Sequence, residues 1–408
     1  MGPNRPHQAP RDPRRQTHTH RWLHFLLKKT LGRYFCWYYR IRVSGLDALA
    51  KEPSPWLILP NHVTTWDPIL ISLFLKDPVY FIASDANFRR PMASWWLRQV
   101  GAIPTSKLAT DMTTVRQMVD LLRQGKTVGL FPEGERTWDG ATLPIIPATA
   151  KLARLAKVSV VVPVLKGGFF ALPRWAYKSR RGPLFIEYKV AISAGEIRSL
   201  TLEEIEDRIT SAISHDDHIW LRSQPWRYSS PKPAEPLQLT LFCCPHCQSL
   251  NTLRGQGSRF GCTESGWQTT YTSRGLFKNH SKNLHYFDTI RQWSLWQDGE
   301  LTKAVANLGS HAHTTVLFAD SGAVYSVGYK FSRLKKKGFG RLSLESRGLT
   351  FYWDSENEVV FRFQDIRGVN VVYQSQLEFY YNGELRVFRF PDKQTSGYKY
   401  LLALRRIP

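Results

Sequence analysis

Pro60-Asn61-His62-Val63-Thr64-Thr65-Trp66-Asp67 follows the apolar run Trp56–Leu59 and leads into Pro68–Leu75, an apolar stretch of helical character. A strand that ends in a loop bearing His and Asp, and is followed by a helix, is the junction at which α/β sheets place reactive groups. With the chain turning between them, the Asp67 carboxylate can reach one imidazole nitrogen of His62 and leave the other for a substrate. If the attacking group is a hydroxyl that the substrate itself brings, no Ser or Cys nucleophile is required. His62 then serves as general base, and Asp67 fixes its tautomer and stabilises the imidazolium. The same residues also read as a plain helix start, with Asp67 as cap, Pro68 at the first helical position and His62 a hydrogen-bonded core histidine.

Outward from this loop, residues 45–200 alternate short β-branched runs with helical stretches, within a domain expected to span 45–222. The strands are expected at Trp56–Leu59, Val79–Ala83, Thr127–Phe131, Ser159–Val164 and Leu184–Val190. The helices are expected at Pro68–Leu75, Pro91–Val100, Met112–Arg123 and Thr149–Ala156. A further helix over Thr201–Ile213 opens on a capping box, Thr201 with Glu204. The expected fold is α/β, a mixed and largely parallel sheet flanked by helices. A second strand-to-loop junction is Leu130-Phe131-Pro132-Glu133-Gly134-Glu135-Arg136-Thr137, where Arg136 offers a planar fork suited to phosphate.

These segments together resemble the glycerolipid acyltransferase family, whose members acylate glycerol 3-phosphate and lysophosphatidic acid. Asn61, His62 and Asp67 match its first block, and Gly101-Ala102-Ile103-Pro104-Thr105-Ser106-Lys107 its second, with Lys107 where Arg is usual. Phe131, Pro132, Glu133, Gly134, Arg136 and Thr137 match the third, with Glu135 in place of Thr, and Val162-Pro163-Val164 the fourth. The resemblance covers about residues 45–215 and implies that His62 and Asp67 are the catalytic dyad. It further implies that Lys107 and Arg136 hold the acceptor's phosphate and that Glu133 and Gly134 shape the acceptor pocket. No cofactor is implied for catalysis. The implied donor is acyl-CoA or acyl carrier protein. The implied acceptor is a glycerolipid hydroxyl, lysophosphatidic acid first, with glycerol 3-phosphate or another lysophospholipid as the alternative.

Lys and Arg number 56 against 33 Asp and Glu, a formal net charge of +23, which calls for a polyanionic partner. Residues 1–20 read as a disordered basic arm. Residues 21–44 read as an amphipathic helix whose wide apolar face, Trp22, Leu23, Phe25, Leu26, Leu27, Leu31, Tyr34, Phe35, Trp37 and Tyr38, is interleaved with Lys28, Lys29, Arg33 and Arg40. The segment is too charged to span a bilayer and suits an anionic membrane surface, so a peripheral or monotopic seat on the cytoplasmic face is expected. The bland reading packs this helix on the domain behind it. Nucleic acid, the other polyanion, leaves the His–Asp pair and the apolar helix unexplained and is not expected as a partner. An inactive lipid-binding tether is the remaining alternative, and the retained His62, Asp67, Glu133 and Arg136 count against it.

A Pro- and Ser-rich stretch within residues 223–239 reads as a linker. Residues 240–275 are expected to be zinc-ribbon-like: Cys244 and Cys247 form one knuckle and Cys262 half of another, with Ser265 where a fourth cysteine belongs. Cys244, Cys247 and Cys262 are the candidate ligands of a structural zinc; the rival reading is a ribbon that has lost its metal and kept its fold. Five cysteines, four of them clustered, exclude a secreted disulfide framework. Residues 276–408 turn β-rich, with a pleckstrin-homology-like outline from about residue 323. There Arg333 and Lys335–Lys337 form a basic run, and Asn382-Gly383 is a two-residue hairpin turn.

Overall fold

The computed structural model describes residues 21–105, 112–279, 284–308, 315–330 and 332–407. The basic arm at 1–20 and Lys107 lie outside the described residues. The first sheet has seven strands: β1 (Arg42–Ser44), β2 (Trp56–Ile58), β3 (Tyr80–Ser84), β4 (Ile103–Thr105), β5 (Val128–Gly129), β6 (Ser159–Lys166) and β7 (Phe185–Ile192). Their order is β1-β7-β6-β2-β5-β3-β4. Only β6 and β7 run antiparallel; the other neighbours are parallel. The mixed, largely parallel α/β sheet expected from the alternating pattern is therefore present. Leu57, Ile58, Val128 and Val160–Val162 are fully buried, as strands covered on both faces require. The edge strands β1 and β4 were not anticipated. Each has three residues, β1 has two exposed side chains and β4 carries a proline, so neither shows an apolar run. The capping box at Thr201 forms with both of its reciprocal hydrogen bonds.

The N-terminal segment is a helix over Arg21–Tyr39 that contains a π turn at Lys28–Gly32. A Cβ at Gly32 would come within 2.7 Å of Leu73, so the glycine lets the helix lie close on the sheet-covering layer. Leu23, Phe35 and Tyr39 are buried against the domain, while Trp22, Phe25, Leu26, Tyr34 and Trp37 are exposed. The packing reading thus holds for one face of this helix, and the opposite face is exposed. Among the described residues, no helix is long and apolar enough to cross a membrane.

The stretch 223–239, expected as a linker, packs into the core. Tyr228 is buried and its hydroxyl donates to the Pro183 carbonyl, Ser229 bridges to Arg181, and Ala234, Leu237 and Leu239 have no exposed surface. Proline and serine report a chain that is not helix or strand; they say nothing about whether its apolar members are covered. Beyond it, a four-stranded antiparallel sheet has the order β11-β10-β9-β8, formed by β8 (Leu253–Gln256), β9 (Arg259–Cys262), β10 (Gln268–Tyr271) and β11 (Phe277–Asn279). An 18-residue helix, Ile290–Asn307, follows. Its buried Gln297 accepts from the Phe242 amide and donates to the Thr240 carbonyl, so no polar group there is stranded.

The C-terminal sheet is antiparallel: β12 (Val316–Gly328), β13 (Lys335–Glu345), β14 (Gly348–Tyr352), β15 (Glu358–Phe361), β16 (Ile366–Val372), β17 (Gln376–Tyr381) and β18 (Glu384–Arg389). Two meanders, β12 to β15 and β16 to β18, join through the β12–β18 pair, and the helix Gly397–Leu404 packs on β16 and β17. Asn382 and Gly383, both with positive φ, make the expected hairpin turn. Lys335–Lys337 belong to β13 itself and are exposed.

Candidate active site

The first, third and fourth sequence blocks sit on three adjacent strands, because β5 and β6 flank β2 in parallel. Residues 59–62 and 130–136 therefore leave the sheet side by side at the strands' carboxyl ends. Asn61 links β2's exit to β6: its amide donates to the Leu165 carbonyl (3.0 Å) and its oxygen accepts from the Leu165 amide (2.7 Å). His62 then projects with a fifth of its side chain exposed, and its Nδ1 lies 2.9 Å from Asp67 Oδ2. Asp67 has no exposed surface and also accepts from the Val63 amide (2.7 Å), the Thr64 amide and the Thr64 hydroxyl (2.6 Å). Asp67 does open the helix Asp67–Ser72, yet its carboxylate turns back onto the 62–64 loop instead of capping helix amides. The plain helix-start reading thus accounts for its place in the chain but not for its partners.

Two further groups fix the imidazole, and sequence reasoning had given neither a role. The Phe131 ring stacks on it at 3.8 Å between centroids, and the Thr137 amide holds the His62 carbonyl (3.0 Å). Phe131 lay inside the third block, but only strand adjacency shows that it meets His62. With Nδ1 engaged by Asp67, Nε2 is the position from which a proton can be accepted. Burial lowers the His62 pKa below the ordinary histidine value; the hydrogen bond and charge of Asp67 oppose this, and the charges of Arg136 and Arg174 add to the lowering. A ring that is neutral at pH 7 is the form a general base needs.

Glu133 is buried and joins three segments: Oε1 accepts from the His62 amide and Oε2 from the Leu143 amide, each at 2.6 Å. Burial pushes its pKa up to about 8, against the two amide hydrogen bonds. Gly134 has φ +73°, and a Cβ there would approach Ile146 to 2.9 Å, so the turn after Glu133 requires glycine. Arg136 Nη1 donates to the Thr65 hydroxyl (2.9 Å), which places its guanidinium beside the dyad loop. Burial first, and then the charge of Arg174, lower the Arg136 pKa to about 9, so it remains cationic at neutral pH.

An acyltransferase family model matches residues 40–166, the stretch that carries His62, Asp67, Glu133, Gly134 and Arg136. This is an acyltransferase-family domain. The chain is similar to a chloroplastic 1-acyl-sn-glycerol-3-phosphate acyltransferase of Arabidopsis thaliana, 28% identical over 35% of this chain and 41% of that one. It is also similar to a 1-acyl-sn-glycerol-3-phosphate acyltransferase of Streptococcus pneumoniae, 22% identical over 39% of this chain and 58% of the relative. The chain thus spans less than two thirds of the length of these relatives. The crystal structure of a 1-acyl-sn-glycerophosphate acyltransferase from Thermotoga maritima aligns with a TM-score of 0.40 at 21% identity, over 47% of this chain and 77% of that one. The acyltransferase domain holds every sequence-expected site residue that is described, apart from the cysteines.

The cysteines form a separate cluster. The Cys244, Cys247 and Cys262 sulfurs lie within 4.8 Å of one another. Ser265 Oγ is 3.8 Å from Cys244 Sγ. The His246 and Ser265 amides point at the Cys244 and Cys262 sulfurs. For Cys262, burial raises the thiol pKa, but hydrogen bonds from Ser265 and Thr252 outweigh it and bring the value down to about 6. Three close thiols, one of them acidic, could hold a metal ion. Cys243 turns away to the Gln248 carbonyl, and burial pushes its pKa up to about 12. His246 pairs with the Tyr286 hydroxyl instead of joining the cluster.

Proposed function

We propose that this protein transfers a fatty acyl group from a thioester donor, acyl-CoA or acyl carrier protein, to the hydroxyl of lysophosphatidic acid. The observation that carries this reading is the His62–Asp67 pair beside Arg136 at the ends of adjacent parallel strands. His62 Nε2 takes the proton of the acceptor hydroxyl as its oxygen bonds to the thioester carbonyl carbon. The C–S bond then breaks, and the imidazolium returns the proton to the departing thiolate. Asp67 holds the tautomer throughout. Arg136 binds the acceptor's phosphate, Lys107 adds a second positive charge, and Glu133 and Gly134 shape the acceptor side of the site. The names of the Arabidopsis and Streptococcus relatives favour lysophosphatidic acid over glycerol 3-phosphate.

The surface on which this happens is an anionic membrane, at its cytoplasmic face. Trp22, Phe25, Leu26, Tyr34 and Trp37 stand exposed on one helix with Lys29, Arg33 and Arg40 among them. Met92, Trp95 and Trp96 are exposed on the helix Pro91–Gln99 with Arg98 beside them. Exposed indoles next to cations match the headgroup layer. The C-terminal β-rich region, with its antiparallel meanders and closing helix, is proposed to seat on the same surface as a pleckstrin-homology-like module would.

One experiment tests both points. Purified protein is mixed with anionic vesicles, labelled acyl-CoA or acyl carrier protein, and lysophosphatidic acid, glycerol 3-phosphate or lysophosphatidylcholine in turn. The expected outcome is flotation with the vesicles and fastest transfer to lysophosphatidic acid. Trp22→Ala/Trp37→Ala is expected to weaken flotation by about tenfold or more, since each buried indole contributes roughly 2 kcal/mol. Transfer to none of the acceptors rejects the acyltransferase reading, and unchanged flotation of the double variant rejects the helix as anchor.

A structural zinc ion is proposed on Cys244, Cys247 and Cys262, with Ser265 beside Cys244. Bound there, it would tie the knuckle before β8 to the end of β9 without taking part in acyl transfer. The expected metal content is about one zinc per chain, falling below about a tenth in Cys244→Ser/Cys262→Ser. Metal-free protein with unchanged melting temperature after chelation would show that the cluster is a thiol set only.

A further inference from the structure

Glu135 stands in the third block where the resembled family carries Thr, and its partners come from two parts of the chain. Arg174 follows the short helix Gly168–Ala171 and is only 3% exposed. Its Nη1 donates to Glu135 Oε2 (3.0 Å) and to the backbone carbonyl of Arg136 (2.7 Å). Its Nη2 donates to the carbonyl of Val371 in β16 (2.7 Å). The other carboxylate oxygen, Glu135 Oε1, pairs with Arg405 at 2.7 Å, just past the C-terminal helix Gly397–Leu404. The Arg174 guanidinium lies 4.2 Å from the centre of the Trp138 ring, and Trp138 stacks on Tyr398 of that helix at 4.3 Å and 20°.

We infer that the C-terminal β module positions the acceptor-binding Arg136 through a relay of two guanidiniums on Glu135, an inference that rests on the acyltransferase reading above. A threonine at 135 carries no charge to answer Arg174, and a buried guanidinium stripped of its counter-charge is strongly disfavoured. Glu135 is therefore matched to this chain's own C-terminal module. The relay ends on the Arg136 backbone, one residue from Glu135, while the Arg136 side chain reaches Thr65 beside the dyad. A shift of the module moves the guanidinium that meets the acceptor's phosphate, while the Asp67 bonds to Nδ1 and to the Val63 and Thr64 amides keep the dyad's internal geometry. Arg174, Glu135 and Arg405 are positioning residues in this scheme.

The test uses the full chain. Arg405→Ala is expected to raise the KM for lysophosphatidic acid about five- to tenfold, with kcat and the donor KM changed less than about twofold. Arg405→Lys keeps a charge within reach of Glu135 and is expected to stay within about threefold of wild type. Glu135→Thr, which strands Arg174, is expected to exceed the Arg405→Ala effect on KM. As a readout independent of turnover, amide hydrogen exchange at residues 131–137 is expected to quicken in Arg405→Ala and not in Arg405→Lys. An unchanged acceptor KM in Arg405→Ala, or equal changes in kcat and both KM values, would overturn the relay. If wild-type protein transfers no acyl group, the acyltransferase reading fails, and the exchange rates alone decide whether the module holds the loop.

Discussion

His62→Ala is expected to cut acyl transfer to lysophosphatidic acid by at least about 100-fold and by as much as about 10,000-fold, the range that a positioned general base supplies. The lower bound corresponds to about 3 kcal/mol of lost transition-state stabilisation. The loss should fall on kcat, because the ring acts on the proton in flight and not on the phosphate proposed to sit at Arg136. The fold should survive, since the buried partners that order this loop, Asn61, Asp67 and Glu133, engage backbone groups that alanine retains. Initial rates beside a circular-dichroism melt decide the matter: a folded variant with wild-type rates would end His62's role. In the wild-type enzyme, kcat/KM should rise with pH through the His62 pKa, because the neutral ring is the base. That pKa is held below 6.5, so the acidic limb should lie below 6.5 and activity should be flat across neutral pH as far as this group decides it.

Asp67→Asn is expected to be nearly as damaging, on the order of 1,000-fold in kcat, by loss of the tautomer and of the charge that stabilises the imidazolium. The sign of the accompanying pH shift is a sharper signature than the size of the loss. Asp67 raises the His62 pKa through its hydrogen bond and its charge. Without it, burial and the two arginines act unopposed, so the acidic limb should move to lower pH even as the plateau falls. A limb that moved to higher pH would contradict the assigned electrostatics. The variant should also melt earlier than His62→Ala. The carboxylate takes the Val63 and Thr64 amides and the Thr64 hydroxyl, and an asparagine turns one acceptor into a donor facing those donors.

Much of this site was legible in the chain because its parts are local. His62 and Asp67 are joined by one turn, and the loop after β5 carries its glycine where the backbone needs φ above zero. The strands β2, β5 and β6 were visible as apolar runs because strands inside the sheet are buried on both faces, whereas β7 alternates, with Ile186 and Tyr188 buried between half-buried Phe185, Glu187 and Lys189. What the sequence did not show depends on distance along the chain. Phe131 meets His62 only because β5 lies beside β2. Glu135 looked like a departure from a motif until Arg405, 270 positions later, was found on its carboxylate. The run around Tyr228–Pro236 read as a tether because turn-forming residues mask a few well-placed apolar ones, among them Tyr228 and Ala234. The long helix Ile290–Asn307 escaped notice because its one buried stripe includes the polar Ser294 and Gln297 while Leu295 stands exposed, which blurs the apolar pattern, although Thr289 and Gln292 spell its capping box.

The packed crossing at 223–239 bears on how such a chain can be divided. Phe170 lies against Tyr228 at 5.5 Å and under Gly275, and Arg180 is sandwiched by Trp175 and Tyr271 while donating to the Pro233 carbonyl. A fragment ending at residue 222 would uncover Phe170 and Trp175, each worth roughly 1.5–3 kcal/mol when buried, and strand the Arg180 guanidinium. The transferase half and its C-terminal companion are thus halves of one folding unit, and swapping or trimming either would remove part of the other's interior.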